Sequence, residues 1–488
     1  MDLILAKKRV LLLVSGGIAI YKSLDLISNL KKEGAEVFVV MSEEATRFIA
    51  PLTFEAMSGN KVLCKSTESF PQISHISYAN IADIAIIAPA TINSIAKLNH
   101  GIADNLIVET LLACKCEVFI APSANVNMME SSQNRANLDS LKNMGYKIIP
   151  PRVSLLACDI VANGAMAEVG EIIFQLKRGI LSNLSMAQSA DSSLRGRIVD
   201  LHEAIHESKK IDCHESLRDS RNDEFGVDCH DSATPNLAMT EKSKLPQKDR
   251  FAPNFWNDKN IVITGGGSVE AIDSIRHISN DSSGKQASNL ALAFYYLGAN
   301  VSLIASKFPI LLPLGVEKIA VKSSADFKNA IQSKLDSLEN RQKINAILLM
   351  AAAISDFVPK QKAQGKLKKE QIGKSWDLHL TQNEDILWQI SNNFGESCYI
   401  VGFKAESFGE QITPNAIKTA SENAKKMLKN KHCDMVVLNI ISQDNEIGGD
   451  SNAVRIFTAQ NEVKIPQDSK LNISFEIAQN IAKNLSKK

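Results

Sequence analysis

The stretch HISNDSSGK, His277 to Lys285, has the makings of an anion cradle: small residues, hydroxyls, one glycine and a terminal lysine. It lacks the first glycine of G-x-x-x-x-G-K-[ST] and is not G-x-G-x-x-G. Upstream, Gly265, Gly266 and Gly267 let backbone approach a ligand closely. Ser282, Ser283 and Gly284 precede a helical pattern, so their N–H groups can point at an anion, with Arg276 and Lys285 adding charge. Asp356, in AAAISDFVP, falls at the carboxyl end of a strand, where it could hold a metal–triphosphate. Ten residues later GKLKK brings Lys366, a cation for a phosphoryl centre. The competing readings are a capped helix for SSGK and a solvated basic face for GKLKK.

A second set of candidates lies nearer the N-terminus. VSGGIAIYK places Ser15, Gly16 and Gly17 between a strand and a helix, a turn suited to a single phosphate such as that of FMN. Ser42 in MSEEAT, and Thr91, Asn93 and Ser94 in APATINS, offer further polar contacts at strand ends. APSANVNMM contains Asn125 and Met128, ISHISYA contains His75, and LLACDIVANGAMAE contains Cys158. By residue type alone, His75 also fits a satisfied, partly buried histidine, and Cys158 a small buried hydrophobe. HEAIH, His202 to His206, matches H-E-x-x-H with Glu203 as base, but its surroundings offer little core and no third ligand at a standard spacing.

The elements that must position these residues are legible from periodicity. Lys8 to Val14, Glu36 to Met41, Ile84 to Ala88 and Glu117 to Ala121 read as buried strands, and Tyr146 to Ile149 as a further one. Ile18 to Lys32 reads as a helix stopped at Gly34. A second α/β pattern runs through NIVIT, NVSLIAS, INAILLMAA, CYIVGF and CDMVVLN, with the helix ASNLALAFYYLGA between. Apolar runs alternating with helices predict two doubly wound parallel sheets. Between them, about Ile180 to Lys259, the chain is polar and short of apolar runs, the pattern of a flexible linker with room for short helices such as Ile198 to Lys209.

Composition narrows the classes. Fifty-five Lys and Arg balance fifty-four Asp and Glu, and 6% aromatic content leaves little for base stacking, so nucleic acid and membrane surfaces are not expected partners. No apolar run approaches the ~20 residues of a membrane span, and no signal peptide precedes Val10 to Val14. Eight cysteines are too sparse for a disulfide scaffold. A cytoplasmic protein with free thiols is the expectation.

The ordered set TGGGSVEAIDSIRHISNDSSGK, AAAISDFVP, GKLKK, NEDIL, VGFKAES and GGDSNAV, from Asn260 onward, resembles phosphopantothenate–cysteine ligase. The N-terminal motifs resemble the FMN-dependent Cys decarboxylases of the HFCD family, which precede that ligase in bacterial fusions. The resemblance implies a flavodoxin-like flavoprotein domain over 1–179, a polar flexible linker over 180–258 and a ribokinase/Rossmann-like ligase domain over 259–488, all α/β. It implies that CTP activates the carboxylate of 4′-phosphopantothenate as an acyl-cytidylate with Mg2+, after which cysteine displaces CMP. FMN-dependent oxidation, loss of CO2 and re-reduction would then give 4′-phosphopantetheine.

In that frame the FMN site comprises Ser15, Gly16, Gly17, Ser42, Thr91, Asn93 and Ser94. His75 is the acid–base group and Cys158 the proton donor, and Asn125 and Met128 bind substrate. Asn280 and Lys366 are catalytic in the ligase, where Arg276 and Ala353 contact substrate. Gly267, Ser282, Ser283, Gly284, Lys285, Asp356, Lys366, Phe403 and Lys431 hold CTP, with Asp356 also the metal ligand. The resemblance further implies homo-oligomers: trimers of the flavoprotein half, in which the histidine and asparagine sides meet across an interface, and dimers of the ligase half, making a dodecamer.

The chain departs from the family pattern at Val269-Glu270-Ala271, at Lys404, at Met427 and in the loop after Cys158, which lacks two glycines and an arginine. Pro122-Ser123-Ala124-Asn125 stands where Pro-Ala-Met-Asn is usual. Two rival readings stay open: a ligase whose N-terminal half is a degenerate flavin-binding regulatory module, and a metalloprotease built on HEAIH.

Overall fold

A computed structural model describes residues 4–67, 74–155, 161–190, 255–338, 346–368, 375–408, 413–442, 445 and 448–486. The first sheet is built from β1 (Arg9–Val14), β2 (Glu36–Met41), β3 (Val62–Leu63), β4 (Ile84–Ala90), β5 (Glu117–Pro122) and β6 (Lys147–Ile148). They are all parallel, in the order β3-β2-β1-β4-β5-β6. Alternation along β1 explains the two-sided core: Val10, Leu12 and Val14 enter one apolar cluster, and Leu11 and Leu13 the other. A hairpin, β7 (Arg152–Leu155) with β8 (Val161–Ala165), follows the sheet.

The second sheet contains β9 (Asn260–Gly265), β12 (Asn300–Ala305), β13 (Val316–Ala320), β14 (Ala346–Met350), β17 (Cys398–Ser407), β18 (Met435–Ile441), β19 (Ser451–Thr458) and β20 (Glu462–Ser469). Its order is β13-β12-β9-β14-β17-β18-β19-β20, with the β18–β19 and β19–β20 pairings antiparallel. Two short ribbons, β10 (Val269–Ala271) with β11 (His277–Ser279) and β15 (Phe357–Pro359) with β16 (Leu380–Gln382), stand outside the sheet. Sequence periodicity did not single out these ribbons or the β19–β20 extension, whose residues alternate apolar and polar over short runs.

In both sheets the chain leaves the first strand in one direction and returns on its other side, so a crevice opens between β1 and β4 and between β9 and β14. The doubly wound expectation therefore holds for each half.

Helix Val169–Ala190 runs past residue 180, where the linker was expected to begin. Its Ile172 and Leu176 enter the first core, and its Phe174 packs against the second. Glu171 accepts the Leu314 N–H at 2.8 Å, Gln175 donates to the Tyr295 hydroxyl at 2.8 Å, and Arg178 donates to the Gly298 carbonyl at 2.9 Å. The Arg178 guanidinium also lies 4.6 Å from the Tyr295 ring centre. The helix is fixed by both halves. Residues 191–254, with HEAIH and the helix expected at Ile198 to Lys209, lie outside the described residues.

Candidate active sites

The first crevice, about 510 Å³, is lined by Ser15, Gly16, Ser42, Thr91, Asn93 and Ser94, all from the expected flavin set. Three of the hydroxyls have structural tasks that fix them. Ser15 Oγ donates to the Pro89 carbonyl at 2.6 Å and accepts the Thr91 N–H at 3.0 Å, tying the end of β1 to the end of β4. Ser42 accepts the Ala45 N–H at 3.1 Å, and Thr91 the Ser94 N–H at 3.4 Å, each capping a helix that starts at the crevice. Gly16 cannot be replaced cheaply, because an added Cβ would lie 2.5 Å from Glu44 Cβ. A glycine turn flanked by capped helix starts suits a phosphate monoester. The crevice also carries Glu43, Glu44, Asp104 and Glu109 against Lys65 and Lys97. Lys97 bonds Asp104 at 2.7 Å and holds its carboxyl below the usual range.

A second cavity of about 680 Å³ adjoins it, sharing Thr91, and is lined by Gly17, Asn125, Met128 and Gly164. Asn125 caps helix Val126–Glu130 by accepting the Asn127 N–H at 2.9 Å. The hairpin is tied in by the Ala124 N–H, which donates to the Gly164 carbonyl at 3.0 Å. Cys158 lies outside the described residues. Lys22 and Arg152 line this cavity as well and share Glu168, at 3.7 and 2.7 Å. No motif had pointed to that triad. His75 lines neither cavity; its Nδ1 lies 4.0 Å from the Glu109 carboxylate. Within one chain, then, His75 and Asn125 are not brought together.

In the second half a cleft of about 230 Å³ is lined by Ser282, Ser283, Gly284, Ala353 and Phe403, joined by Lys404 and Lys470. Gly284, at φ +72°, starts helix Lys285–Tyr296, so the helix's free N–H groups face the cleft. Lys285 pairs with Asp450 at 2.7 Å, and the Lys470 amine bonds the Gly449 carbonyl. Burial, followed by the neighbouring Lys285 charge, pushes the Lys470 amine below its usual range. Lys470 was missed because it sits in no recognisable motif; only the fold returns helix Lys470–Leu485 to this cleft.

Gly267 bridges to Ala353, and a Cβ there would meet the Asn280 carbonyl at 2.3 Å. Asn280 donates through Nδ2 to the Ile354 carbonyl at 3.2 Å, while Asp356 is exposed and its carbonyl accepts the Asn383 N–H at 2.7 Å.

Lys366 is exposed on an arm that the Arg276 turn holds. Buried Asp273 accepts the N–H groups of Ile275, Arg276 and Leu367 at 2.8, 2.7 and 3.2 Å, and the Arg276 guanidinium at 2.9 Å. Arg276 reaches on to the Leu367 carbonyl at 3.3 Å. Those N–H bonds, Arg276's first, hold the Asp273 carboxyl below the usual range.

Lys431 pairs with Asp385 and does not line the cleft. Met427 packs beneath Gly402, and Glu270 accepts the Ser324 N–H at 2.8 Å, so these two departures from the family pattern serve packing and helix capping. Lys404 lies in the cleft, 3.2 Å from Glu406. Among the described residues no group of three or more His, Cys, Asp or Glu could hold a metal ion.

Two doubly wound halves, each with a polar crevice at its switch point, define a two-site α/β protein. Residues 4–180 match the family described as flavoprotein, and residues 256–485 the DNA/pantothenate metabolism flavoprotein C-terminal domain. The coenzyme A biosynthesis bifunctional protein CoaBC of Bacillus subtilis (strain 168) is 33% identical over 486 residues, covering 98% of this chain and 97% of that protein. That of Vibrio vulnificus (strain CMCP6) is 28% identical over 480 residues, covering 98% of each. A crystal structure of the C-terminal domain of a CoaBC protein is 24% identical, covers 48% of this chain and all of that one, and superposes with a TM-score of 0.38. The chain belongs to the family of coenzyme A biosynthesis bifunctional proteins.

Proposed function

We propose that the C-terminal half joins cysteine to 4′-phosphopantothenate at the expense of CTP, and that the N-terminal half decarboxylates the product to 4′-phosphopantetheine. The observation that carries the ligase reading is the convergence of the Ser282–Gly284 helix start, Ala353, Phe403, Lys404 and Lys470 on one cleft, with Lys285 held beside it by Asp450 and the Gly267 turn bridged to Ala353. Such an array suits a triphosphate. Asp356 would hold Mg2+ jointly with phosphate oxygens, since Mg2+ takes one or two carboxylates and keeps water and phosphate as its other ligands. Lys366 would carry charge to the phosphoryl centre, on an arm oriented by Asp273 and Arg276.

The first crevice fits FMN by its glycine turn and capped helix starts. Bound there, FMN supplies two-electron redox chemistry. His75 would move the proton of the first step, Asn125 would bind substrate, and Cys158 would deliver the last proton. That His75 and Asn125 stand apart in one chain favours a site completed by a second copy. Trimeric flavoprotein halves and dimeric ligase halves, closing as a dodecamer, are the proposed assembly. The division into 1–179, 180–258 and 259–488, with helix Val169–Ala190 crossing its first boundary, and a cytoplasmic place of action go with this reading.

The deciding experiment is a product assay with 4′-phosphopantothenate, CTP, Mg2+ and cysteine, followed by mass and by pyrophosphate release. Formation of phosphopantothenoylcysteine without phosphopantetheine would leave the N-terminal half a flavin-binding module. Light scattering that finds a monodisperse monomer retaining flavin would sink the shared site.

A further inference from the structure

Helix Leu106–Ala113 reads LIVETLLA. Leu106, Ile107, Val108 and Leu111 are buried in the core, and Glu109 is its one titratable side chain. The Glu109 side chain is 32% exposed and opens to the crevice. Among the described residues no lysine or arginine pairs with Glu109; its ion-pair neighbour is His75, with Oε2 4.0 Å from Nδ1. Helix Ser74–Ile81, which carries His75, packs directly on helix Leu106–Ala113. The His75 Nδ1 atom is itself buried and has no hydrogen-bond partner. A buried ring nitrogen left unpaired is costly, and the acceptor that faces it is the Glu109 carboxylate. Glu109 also lines the first crevice beside Ser15, Gly16, Ser42 and Thr91, so one carboxylate borders both the crevice and the imidazole.

We propose that Glu109 is a positioning residue for His75. Its carboxylate accepts the Nδ1 proton, which fixes the ring and its tautomer and leaves Nε2 to exchange the proton with the reacting group. The inference rests on the reading of His75 as the acid–base group of the decarboxylase half. The 4.0 Å separation has to shorten to hydrogen-bond length, and catalytic hydrogen bonds commonly tighten only once substrate is bound. The competing role is structural: an acid in the first turn of a helix interacts favourably with its dipole and has no bearing on His75.

The experiment uses the full chain with bound flavin and follows flavin bleaching in single turnovers with phosphopantothenoylcysteine. Glu109→Leu is expected to slow bleaching about 30-fold, within the range for a misplaced acid–base group. Flavin content should stay at the wild-type level and KM within about twofold. Glu109→Gln keeps an acceptor oxygen and should stay within about threefold of wild type. Adding Glu109→Leu to His75→Asn should cost nothing further, because the two act as a unit.

Wild-type bleaching in Glu109→Leu, equal losses in the Leu and Gln variants, or a loss that falls on flavin content would overturn the proposal. His75→Asn measured alongside separates the two layers. If it bleaches normally, the His75 assignment fails and takes the proposal with it. If it is dead while Glu109→Leu is normal, only the role of Glu109 fails.

Discussion

The two halves share a topology and differ in what lines the same place in it. Each puts a glycine turn after its first strand and a polar loop after the strand on its other side. In the first crevice hydroxyls are pinned as helix caps, and carboxylates outnumber lysines. In the second, Lys404 and Lys470 line the cleft at a helix start whose Lys285 pairs with Asp450, and Lys470 is buried deeply enough to weaken its hold on its proton. The switch point decides where a ligand sits, and the side chains decide its charge. The cationic cleft suits a triphosphate that arrives and leaves. The hydroxyl-lined crevice suits a group retained by shape and N–H donors.

Two optical probes keep the halves apart. Trp256 packs into the core of the second sheet and Trp376 and Trp388 follow within residues 259–488, so all three tryptophans report the second half, and flavin absorbance reports the other.

The largest expected effect is that of His75→Asn, which should slow flavin bleaching by roughly 100-fold or more while pyrophosphate release stays within twofold. If both activities fall together, the halves are not separable. Lys366→Gln should act on the other half, lowering acyl-cytidylate formation about 100-fold, as loss of one positioned charge worth ~3 kcal/mol does. Near wild-type pyrophosphate release in that variant removes Lys366 from the site.

Cys158→Ser sharpens the order of events within the first half. In a single turnover CO2 should appear at close to the wild-type rate while phosphopantetheine forms about tenfold more slowly and reduced flavin accumulates, since only the last proton is lost. Equal rates of CO2 and thiol formation would mean that another acid delivers it.

The contact between the halves is tested by Arg178→Ala, which removes the bond to the Gly298 carbonyl and the stacking on Tyr295. The loss should be about 1–2 kcal/mol. In wild type the urea midpoints read by tryptophan and by flavin should coincide, and in the variant they should separate. Coincident midpoints in both would make the contact incidental.

The smallest effect is one of pH. Asp273 has a folded pKa below its unfolded value, so its contribution is complete above the unfolded pKa of ~4 and is lost as pH falls through the lower folded value. Because Arg276 lies 5.5 Å from the Trp376 ring centre, tryptophan emission should change over that acid range and lose the step in Asp273→Asn. An unchanged step in the variant would assign it elsewhere.

Much of the fold was legible because a strand buried on both faces must be apolar throughout. Val10 to Val14, Ile84 to Ala88 and Ile261 to Ile263 announce themselves in that way. The ribbons β10–β11 and β15–β16 did not, because they are short and stand outside the sheet. Of the first crevice, the motif residues Ser15, Gly16, Ser42, Thr91, Asn93 and Ser94 converge as their strand-end positions required. Lys22, Arg152, Glu109 and Lys470 were illegible, since a lone charge beside a strand or within a helix reads as surface until something packs against it.

The sequence by itself determined two doubly wound sheets and the strand ends at which ligands collect, because apolar periodicity and glycine placement are local and act before any long-range contact forms. Only the tertiary structure decided which distant charges meet. Helix Lys470–Leu485 returns Lys470 to the Lys285 cradle, Asp273 holds the Lys366 arm, and helix Val169–Ala190 is shared between both cores. The physical reason is that each of these pairings depends on where a sheet edge or a helix end brings the chain back, and no local spacing carries that information.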